Sequence, residues 1–397
     1  MSQKGFSKKG SPVAGACVAF GLAVLIATGC TEDPTAESLL GSQLITTRVA
    51  LAETTITAAG TSTKKRPIPM NSATNLVGKS GGYLAYAPLR FAPLLNDTVD
   101  VIAARIRLKL TSRFGNLTGS LNLNVYKILK DWREDTLTWR GVTTDFYDPA
   151  SLGSLTEVAT ADTQEVFVTI TDTTLIRNWL QGTGDPNYGL LLFPDPSCDV
   201  VRGFEALNFF PDSASIPPTL QIETRGPTGT IDTLKYAPIW DTFVGNIDGF
   251  DSDSTRVTVQ AGVVYTGIFK FDVSFLPQGS IIASANMVLH LDDAATLLTR
   301  PLTEKVVASR VVLSPSDTLL LESTFTRGEV RGSDPNEFSF DARHATQFWA
   351  TGTNYGVGVT ALVTKEFSSF DRFVFFNNTA PDAMKPKLKI VYGVVQN

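Results

Sequence analysis

The chain has 397 residues, of which 43% are hydrophobic and 18% charged, and its formal net charge is −5 at pH 7. A single core stops growing near roughly 250 to 300 residues, so this length is too great for one compact core and indicates two or three domains. The apolar content is ordinary for a folded protein, which excludes disorder over the whole chain. The mildly acidic net charge and the lack of a long run of Lys or Arg argue against nucleic acid as the main partner. His290 and His344 are the only histidines, which excludes histidine-rich metal sites.

Residues 1–30 have the pattern of a bacterial lipoprotein signal. Lysines precede a mostly small, apolar run from Val13 to Ala27, and the run closes at Cys30. An apolar run of roughly 15 residues is short for a membrane span and has the size of a secretory h-region. The small residues before Cys30 resemble a lipobox, in which cleavage leaves the cysteine as an acylated N-terminus. An ordinary secretory signal cut nearby is the alternative. Both predict export, and Thr31 favours the outer membrane by resemblance to the sorting rule of diderm bacteria.

Residues 31–43 are polar and indicate a tether. Signal cleavage would remove Cys17 and acylation would occupy Cys30, which leaves Cys198 without a partner for an internal disulfide. We expect an inert thiol at Cys198, because nothing basic immediately flanks it.

Short β-type runs separated by Gly, Pro, Asn and Asp follow the tether. From Arg105 to Leu110 and from Leu121 to Val125, apolar residues alternate with charged or amide residues. Alternation with period two predicts antiparallel strands with one face in a core and one in water. Many such runs between turn residues are typical of a sandwich or barrel.

Residues 77–82 contain fragments of two catalytic motifs. Ala73 stands where a phosphate-binding loop needs its first glycine. A nucleophile elbow at Ser80 needs a helix directly after the serine, and the following glycines and Pro88 oppose one. We therefore expect a hairpin turn here and no catalysis.

Trp132 and Trp139 are the candidate ligand-binding residues. Flat aromatic faces stack on sugar rings, so an exposed pair would form a glycan platform. Core packing is the alternative, because Leu137 and Trp139 would share one face of a strand. Glu134 and Asp135 are interpreted as surface charge, since adjacent strand residues point to opposite faces and cannot act together as acid and base.

Spacing predicts one short helix in each half of the chain. Asp172 would cap the first helix and Gly182 would end it; Asp341 and Gly352 would do the same for the second. Between these limits one face carries Leu175, Ile176, Trp179 and Leu180 in the first helix and His344, Ala345, Phe348 and Trp349 in the second. The equivalence of His344 with Leu175 predicts a packed histidine on a buried or half-buried face.

A stretch of oxygen-bearing side chains is the candidate metal site. Asn246, Asp248, Asp251 and Asp253 have spacings that could surround Ca²⁺, which takes 6 to 8 hard oxygen ligands. The stretch lacks the 12-residue loop with a terminal bidentate Glu, so a solvated loop is the alternative. No other cofactor is expected.

The chain also repeats itself in a fixed order of elements. Residues 88–110 are matched by residues 268–291, Asn187-Tyr188-Gly189 by Asn354-Tyr355-Gly356, and residues 218–222 by residues 386–390. This order predicts a duplicated domain, with copies at 44–225 and 232–395 joined by a Gly/Pro linker at 226–231.

The repeated features resemble the DNRLRE-domain family, which is related to carbohydrate-binding module family 96. They are Phe269-Lys-Phe-Asp272, residues 132–139, the Asp-capped helix ending in Trp179, residues 187–192 and Pro217-Pro-Thr-Leu-Gln-Ile222. The resemblance implies an all-β fold of two tandem jelly-roll-like antiparallel β-sandwiches, each with one short helix. It also implies binding or structural duty at the cell surface, without catalysis. The second copy departs from the family because residues 313–320 hold no tryptophan.

These observations favour a cell-surface lipoprotein that binds extracellular polysaccharide or acts in adhesion. The expected partners are a polysaccharide or surface protein, together with a membrane reached through a lipid anchor. A structural surface component without a glycan ligand is the alternative, and a polysaccharide-degrading enzyme is the third hypothesis.

Overall fold

The computed structural model describes residues 48–396 except 71, 95–98, 159, 208–215, 248–254, 302–304, 332–333 and 363–365. The predicted signal, Cys30 and the tether at 31–43 lie outside the described residues. Residues 51–394 form one compact unit. Nowhere in the described part of the chain is there a helix long and apolar enough to cross a membrane.

The first of two antiparallel sheets closes into a barrel. Within the described residues it has twelve strands. They are β2 (Thr74–Ser80), β3 (Tyr83–Phe91), β4 (Asp100–Gly115), β5 (Ser120–Ile128), β6 (Tyr147–Val158), β7 (Gln164–Ile170), β8 (Leu190–Pro194), β9 (Val200–Glu205), β10 (Thr219–Arg225), β11 (Ile231–Tyr236), β12 (Pro238–Asp241) and β13 (Val244–Ile247). The ring runs β4-β7-β6-β5-β8-β3-β2-β9 and closes because the end of β4 pairs with β9.

The second sheet also has twelve strands among the described residues, and it remains open. They are β1 (Arg48–Lys65), β14 (Arg256–Gln260), β15 (Tyr265–Phe271), β16 (Ile281–His290), β17 (Val307–Ser314), β18 (Leu320–Leu321), β19 (Thr326–Arg327), β20 (Glu329–Val330), β21 (Glu337–Asp341), β22 (Val357–Ala361), β23 (Arg372–Phe376) and β24 (Lys387–Gln396). Its main path runs β18-β17-β22-β15-β1-β24-β16-β21-β20.

The all-β prediction is confirmed, and so are the alternating strands on which it depends. In β4 the side chains of Ile106, Leu108 and Leu110 are fully buried. In β5 the apolar residues are buried while Asn122 and Asn124 are half-buried. Each strand therefore places one face in the barrel core.

One short helix lies in each half, as predicted. Helix α1 spans Thr174–Leu180 and helix α2 spans Arg343–Thr351. Asp172 Oδ1 accepts a hydrogen bond from the Thr174 N–H at 2.9 Å, and Asp341 Oδ1 accepts one from the Arg343 N–H at 2.9 Å. Both aspartates therefore satisfy an N–H group of the first turn.

The predicted packing of His344 is wrong. Its side chain is 64% exposed and contacts the Glu322 carboxylate at 3.0 Å. The buried residues of α2 are Ala345, Thr346 and Trp349. Counted from the first residue of each helix, the buried face of α2 begins one position later than the buried face of α1. A shift of one residue rotates a helix face by about 100°, which turns His344 to the surface.

Phe370, which lies just before β23 of the second sheet, packs its ring into the core of the first sheet. Phe370 contacts Tyr83, Phe114 and Phe243, with ring centroids 5.7 to 6.4 Å apart. The Tyr83 hydroxyl donates to Gln260 Oε1 at 3.0 Å. The chain from 51 to 394 is thus packed continuously across both sheets.

A buried ion pair lies beside this cluster. Arg66 pairs with Glu366 and also donates from Nε to Thr266 Oγ1 at 2.9 Å. Burial lowers the pKa of Arg66 and raises the pKa of Glu366, and Arg310 is close enough to contribute to both shifts. The Glu366 carboxylate therefore contacts the Arg66 guanidinium directly and interacts with Arg310 through electrostatics alone.

Strand pairing crosses the predicted domain boundary. Strand β1 belongs to the first predicted copy but pairs with β15 and β24 of the second sheet. Strands β11, β12 and β13 follow the predicted linker but pair with β10 and β3 of the first sheet. The linker itself forms the β10–β11 turn, where the Gly226 N–H donates to the Thr230 carbonyl at 2.9 Å. The sheets therefore do not divide into residues 44–225 and 232–395.

Candidate ligand-binding site

A groove of about 480 Å³ opens between the end of β3 and the C-terminal end of α1. Its apolar lining is Phe91, Pro93, Leu94, Trp179, Pro186 and Ile239, and its polar lining includes Arg90, Asn178, Thr183, Asp185 and Asn187. Ligand sites in proteins have this size and combine an apolar floor with a few polar groups.

The end of α1 forms one wall of the groove. Gly182 has φ +64°, and the following Thr183 N–H donates to the Asn178 carbonyl at 2.9 Å. This left-handed glycine ends the helix and reverses the chain. Asn178 and Asp185 lie on either side of this turn, and both line the groove.

Asn187, the first residue of Asn187-Tyr188-Gly189, also lines the groove. Asn187 Nδ2 donates to the Phe91 carbonyl at 3.3 Å. Gly189 has φ +99°, and a Cβ there would lie 2.2 Å from the Leu89 carbonyl oxygen. Only glycine fits this approach to β3. The motif therefore holds the loop on the strand.

The repeated motif makes the same contacts in the second half. Asn354 Nδ2 donates to the Phe271 carbonyl at 2.6 Å. Gly356 has φ +96°, with a Cβ position 2.7 Å from the Phe269 carbonyl oxygen. The repeated Asn-Tyr-Gly sequence thus indicates that the two halves share a backbone geometry, and it does not indicate a shared ligand.

Charged groups at the groove are paired but partly accessible. Arg90 pairs with Asp131, and its guanidinium lies 4.6 Å from the Trp240 ring centroid. Asp185 pairs with Lys127, and 67% of its side chain is exposed. The groove thus offers a guanidinium, a carboxylate and the Asn178 amide to a ligand.

Trp132 does not form the predicted platform. It is 5% exposed and its Nε1 donates to the Tyr188 carbonyl at 2.8 Å. Its ring belongs to the core, so no face is open to a sugar. Trp139 is half-buried, and Lys65 Nζ lies 4.0 Å from its ring centroid.

The residues around these tryptophans form a loop instead of the expected strand. Residues 129–146 contain turns, and both Thr136 and Leu137 donate from their N–H groups to the Arg133 carbonyl. Alternation of side chains does not apply to such a loop. Asp135 pairs with Arg133 at 2.9 Å, which agrees with surface charge.

The candidate calcium site is described only in part. Asn246 lies in β13, where its Oδ1 accepts a hydrogen bond from Lys65 Nζ at 2.7 Å. Asp248, Asp251 and Asp253 lie outside the described residues. Cys198 is buried and free, and its Sγ contacts the Val200 carbonyl at 3.4 Å.

A second groove, of about 540 Å³, lies over β19 and β20. It is lined by Lys305, Arg327, Gly328, Glu329, Val330 and Pro335. None of these side chains is aromatic. The groove beside α1 is therefore the better candidate for a sugar ring.

Comparisons with known proteins identify no family. No family model matches the chain, and no curated protein matches it. A solved structure of infectious bursal virus derived T=1 particles aligns with 92% of this chain and 80% of its own, at 11% identity and a TM-score of 0.12. A score this low carries no argument about fold or function. The resemblance to the DNRLRE-domain family rests on its sequence motifs and stays a prediction.

The groove residues could not be predicted from the sequence. Arg90, Asn178 and Asp185 come from a strand end, a helix and a turn, and no short motif contains all three. The usable signal was the turn Gly182-Thr183-Gly184 directly after an amphipathic helix. Such a turn exposes the last polar residues of the helix.

Proposed function

We propose that this protein is an exported, lipid-anchored, non-catalytic protein that binds extracellular polysaccharide in the groove beside α1. The observation that carries the proposal is the composition of this groove. Its apolar floor suits the C–H face of a sugar ring, and its side groups suit hydroxyls. The signal pattern at residues 1–30 and the resemblance to carbohydrate-binding modules support the same function.

The polar groups of the groove have the hydrogen-bonding capacity that sugars need. The Asn178 amide has both donors and acceptors, and the Asp185 carboxylate accepts through two oxygens. Arg90 presents several N–H donors in a planar fork. Neighbouring hydroxyls of a sugar donate and accept at once, so these groups match them.

Binding should be measured on the full chain with immobilised polysaccharides, followed by calorimetry with the best ligand. We expect Asn178→Ala and Asp185→Ala each to weaken binding by about tenfold, since truncating a central contact costs roughly 1 to 2 kcal/mol. Both side chains lie at the surface end of the helix and turn, so thermal unfolding should change little.

Asp382→Ala is the matched control. Asp382 is an exposed carboxylate paired with Lys385 at 2.7 Å, as Asp185 is paired with Lys127. This variant should bind like the unaltered chain. Equal weakening by Asp382→Ala, or the absence of any bound polysaccharide, would contradict the proposal and favour a structural surface component.

A further inference from the structure

Large apolar side chains are exposed at one end of the second sheet, where the chain enters the compact unit. The unit begins at Leu51 in β1, and this residue is 68% exposed. Ile281, the first residue of β16, is 64% exposed. Phe275, which precedes β16, and Phe348, which lies in α2, are also exposed. We call these four residues the entry patch.

The contacts of β1 with β24 determine where Leu51 lies. The Ala58 N–H donates to the Pro386 carbonyl at 3.0 Å, and Glu53 pairs with Lys389 at 2.8 Å. Residue numbers therefore rise along β24 as they fall along β1, so the two strands are antiparallel. Seven residues before Ala58, Leu51 reaches the far end of β24.

Strand β24 lies between β1 and β16 and brings two residues of the patch together. Gly393 of β24 is the partner of Ile281 in β16, and the register of β1 brings Leu51 opposite the same glycine. Directly opposite residues of neighbouring strands have their side chains on one face. Leu51 and Ile281 therefore lie on the same face of the sheet with only a glycine between them.

The two phenylalanines lie at the same end of the sheet. The ring of Phe275 contacts the ring of Tyr392 with centroids 6.1 Å apart, and Tyr392 is the strand partner of Ile282. Gln347, the residue before Phe348, accepts a hydrogen bond from the Ile282 N–H at 2.9 Å. The entry patch is thus built by β1, β16, the segment before β16 and α2, which are fastened to one another.

The position of the patch along the chain indicates what covers it. Exposed apolar residues that lie singly need no explanation, whereas a group of them marks a contact with a protein or a membrane. Residues 31–50 connect Cys30 to Leu51 and span at most about 70 Å even when fully extended. An acylated Cys30 would therefore hold the patch near a bilayer and raise its effective concentration there.

We propose that the entry patch docks on the lipid bilayer, with its leucine, isoleucine and phenylalanines inserted at the boundary between headgroups and acyl chains. Interfacial binding strengthens with the apolar area that the bilayer covers. Docking would give the folded unit a fixed orientation, which a tether alone does not provide. The choice of a membrane as the partner rests on the lipid anchor of the proposed function and is independent of the polysaccharide groove.

The test is flotation of the chain that begins at residue 31 with phosphatidylcholine vesicles. This chain carries no acyl group and retains residues 51–394, which form one compact unit. We expect it to float with the vesicles. Flotation should persist in about 1 M NaCl, where charges are screened within about 3 Å, because the patch is apolar.

Leu51→Ser and Ile281→Ser should each lower the vesicle partition coefficient by about tenfold, since each removes apolar area that the bilayer would cover. Ile231→Ser is the matched control. Ile231 is 56% exposed and lies in β11, at the edge of the first sheet. This variant should partition like the unaltered chain. Thermal unfolding of all three variants should change little, because the replaced side chains are exposed.

Three results would overturn the proposal. The unaltered chain might stay with the soluble fraction, or Ile231→Ser might lower partitioning as much as Ile281→Ser. Sedimentation velocity might instead show a dimer that Leu51→Ser dissociates, without flotation, which would assign the patch to a second copy of the chain. Acylation is scored separately by fatty-acid labelling, so a labelled chain whose unacylated form does not float refutes docking and leaves the anchor in place.

Discussion

At the residue scale, the pair of Arg66 and Glu366 shows how strongly a buried charge depends on its partner. Both side chains are nearly inaccessible, and Arg310 adds a second positive charge nearby. Burial penalises both charged forms, as their shifted pKa values indicate. The attraction between them offsets this penalty only while both remain present.

We expect Glu366→Gln to lower the free energy of unfolding by roughly 3 to 5 kcal/mol, because it leaves a buried guanidinium uncompensated. Urea unfolding followed by fluorescence measures the change. Replacing both partners, as Arg66→Met with Glu366→Gln, should recover much of the loss. The exposed pair of Asp382 and Lys385 provides the control, and Asp382→Ala should leave the free energy of unfolding nearly unchanged. A loss in Glu366→Gln as small as this control would refute the expectation.

At the scale of elements, the two halves exchange strands. The shared Asn-Tyr-Gly contacts make β3 equivalent to β15, because each receives the same loop. Strand β1 pairs with β15, and β12 pairs with β3, so strands near the start of each half pair with the sheet of the other half. An unpaired edge would expose a row of backbone N–H and C=O groups. Each sheet thus depends on a segment from across the predicted boundary.

This exchange predicts how fragments behave. Residues 66–247 contain every strand of the first sheet, whereas residues 44–225 lack β11, β12 and β13. We expect the 66–247 fragment to unfold cooperatively in urea and the 44–225 fragment to unfold less cooperatively, since the latter leaves β10 without β11 and β3 without β12 and β13. Circular dichroism and urea unfolding of both fragments measure this. Equal cooperativity of the two would show that the exchanged strands are dispensable.

At the scale of the whole molecule, the proposed function requires attachment to a membrane. The signal pattern predicts acylation at Cys30. Several acyl chains on one residue give stable membrane attachment, whereas a single chain gives only marginal attachment. A binding groove on a folded unit at the end of a tether would then sample the space near the cell surface.

Metabolic labelling with a fatty-acid analogue in a bacterial host tests the anchor. We expect the label on the unaltered chain and on Cys198→Ala, whose thiol is buried, but not on Cys30→Ala. The Cys198→Ala control distinguishes specific acylation at Cys30 from an adventitious reaction at Cys198. Label that persists on Cys30→Ala would contradict lipid attachment at this residue.

The local features of the fold could be predicted from the sequence because each is encoded within a few neighbouring residues. Alternation in β4 and β5 determined which faces are buried, and Asp172 with Gly182 determined the limits of α1. The repeated Asn-Tyr-Gly motif similarly indicated two equivalent backbone positions.

The tertiary structure alone decided which distant segments meet. The pairing of β1 with the second sheet, the groove between β3 and α1, and the ion pair of Arg66 with Glu366 all join residues far apart in the chain. The burial of Trp132 and the exposure of His344 likewise depended on a loop and on a one-residue rotation of α2. Local periodicity determines which face of an element is apolar, but only packing determines what covers that face.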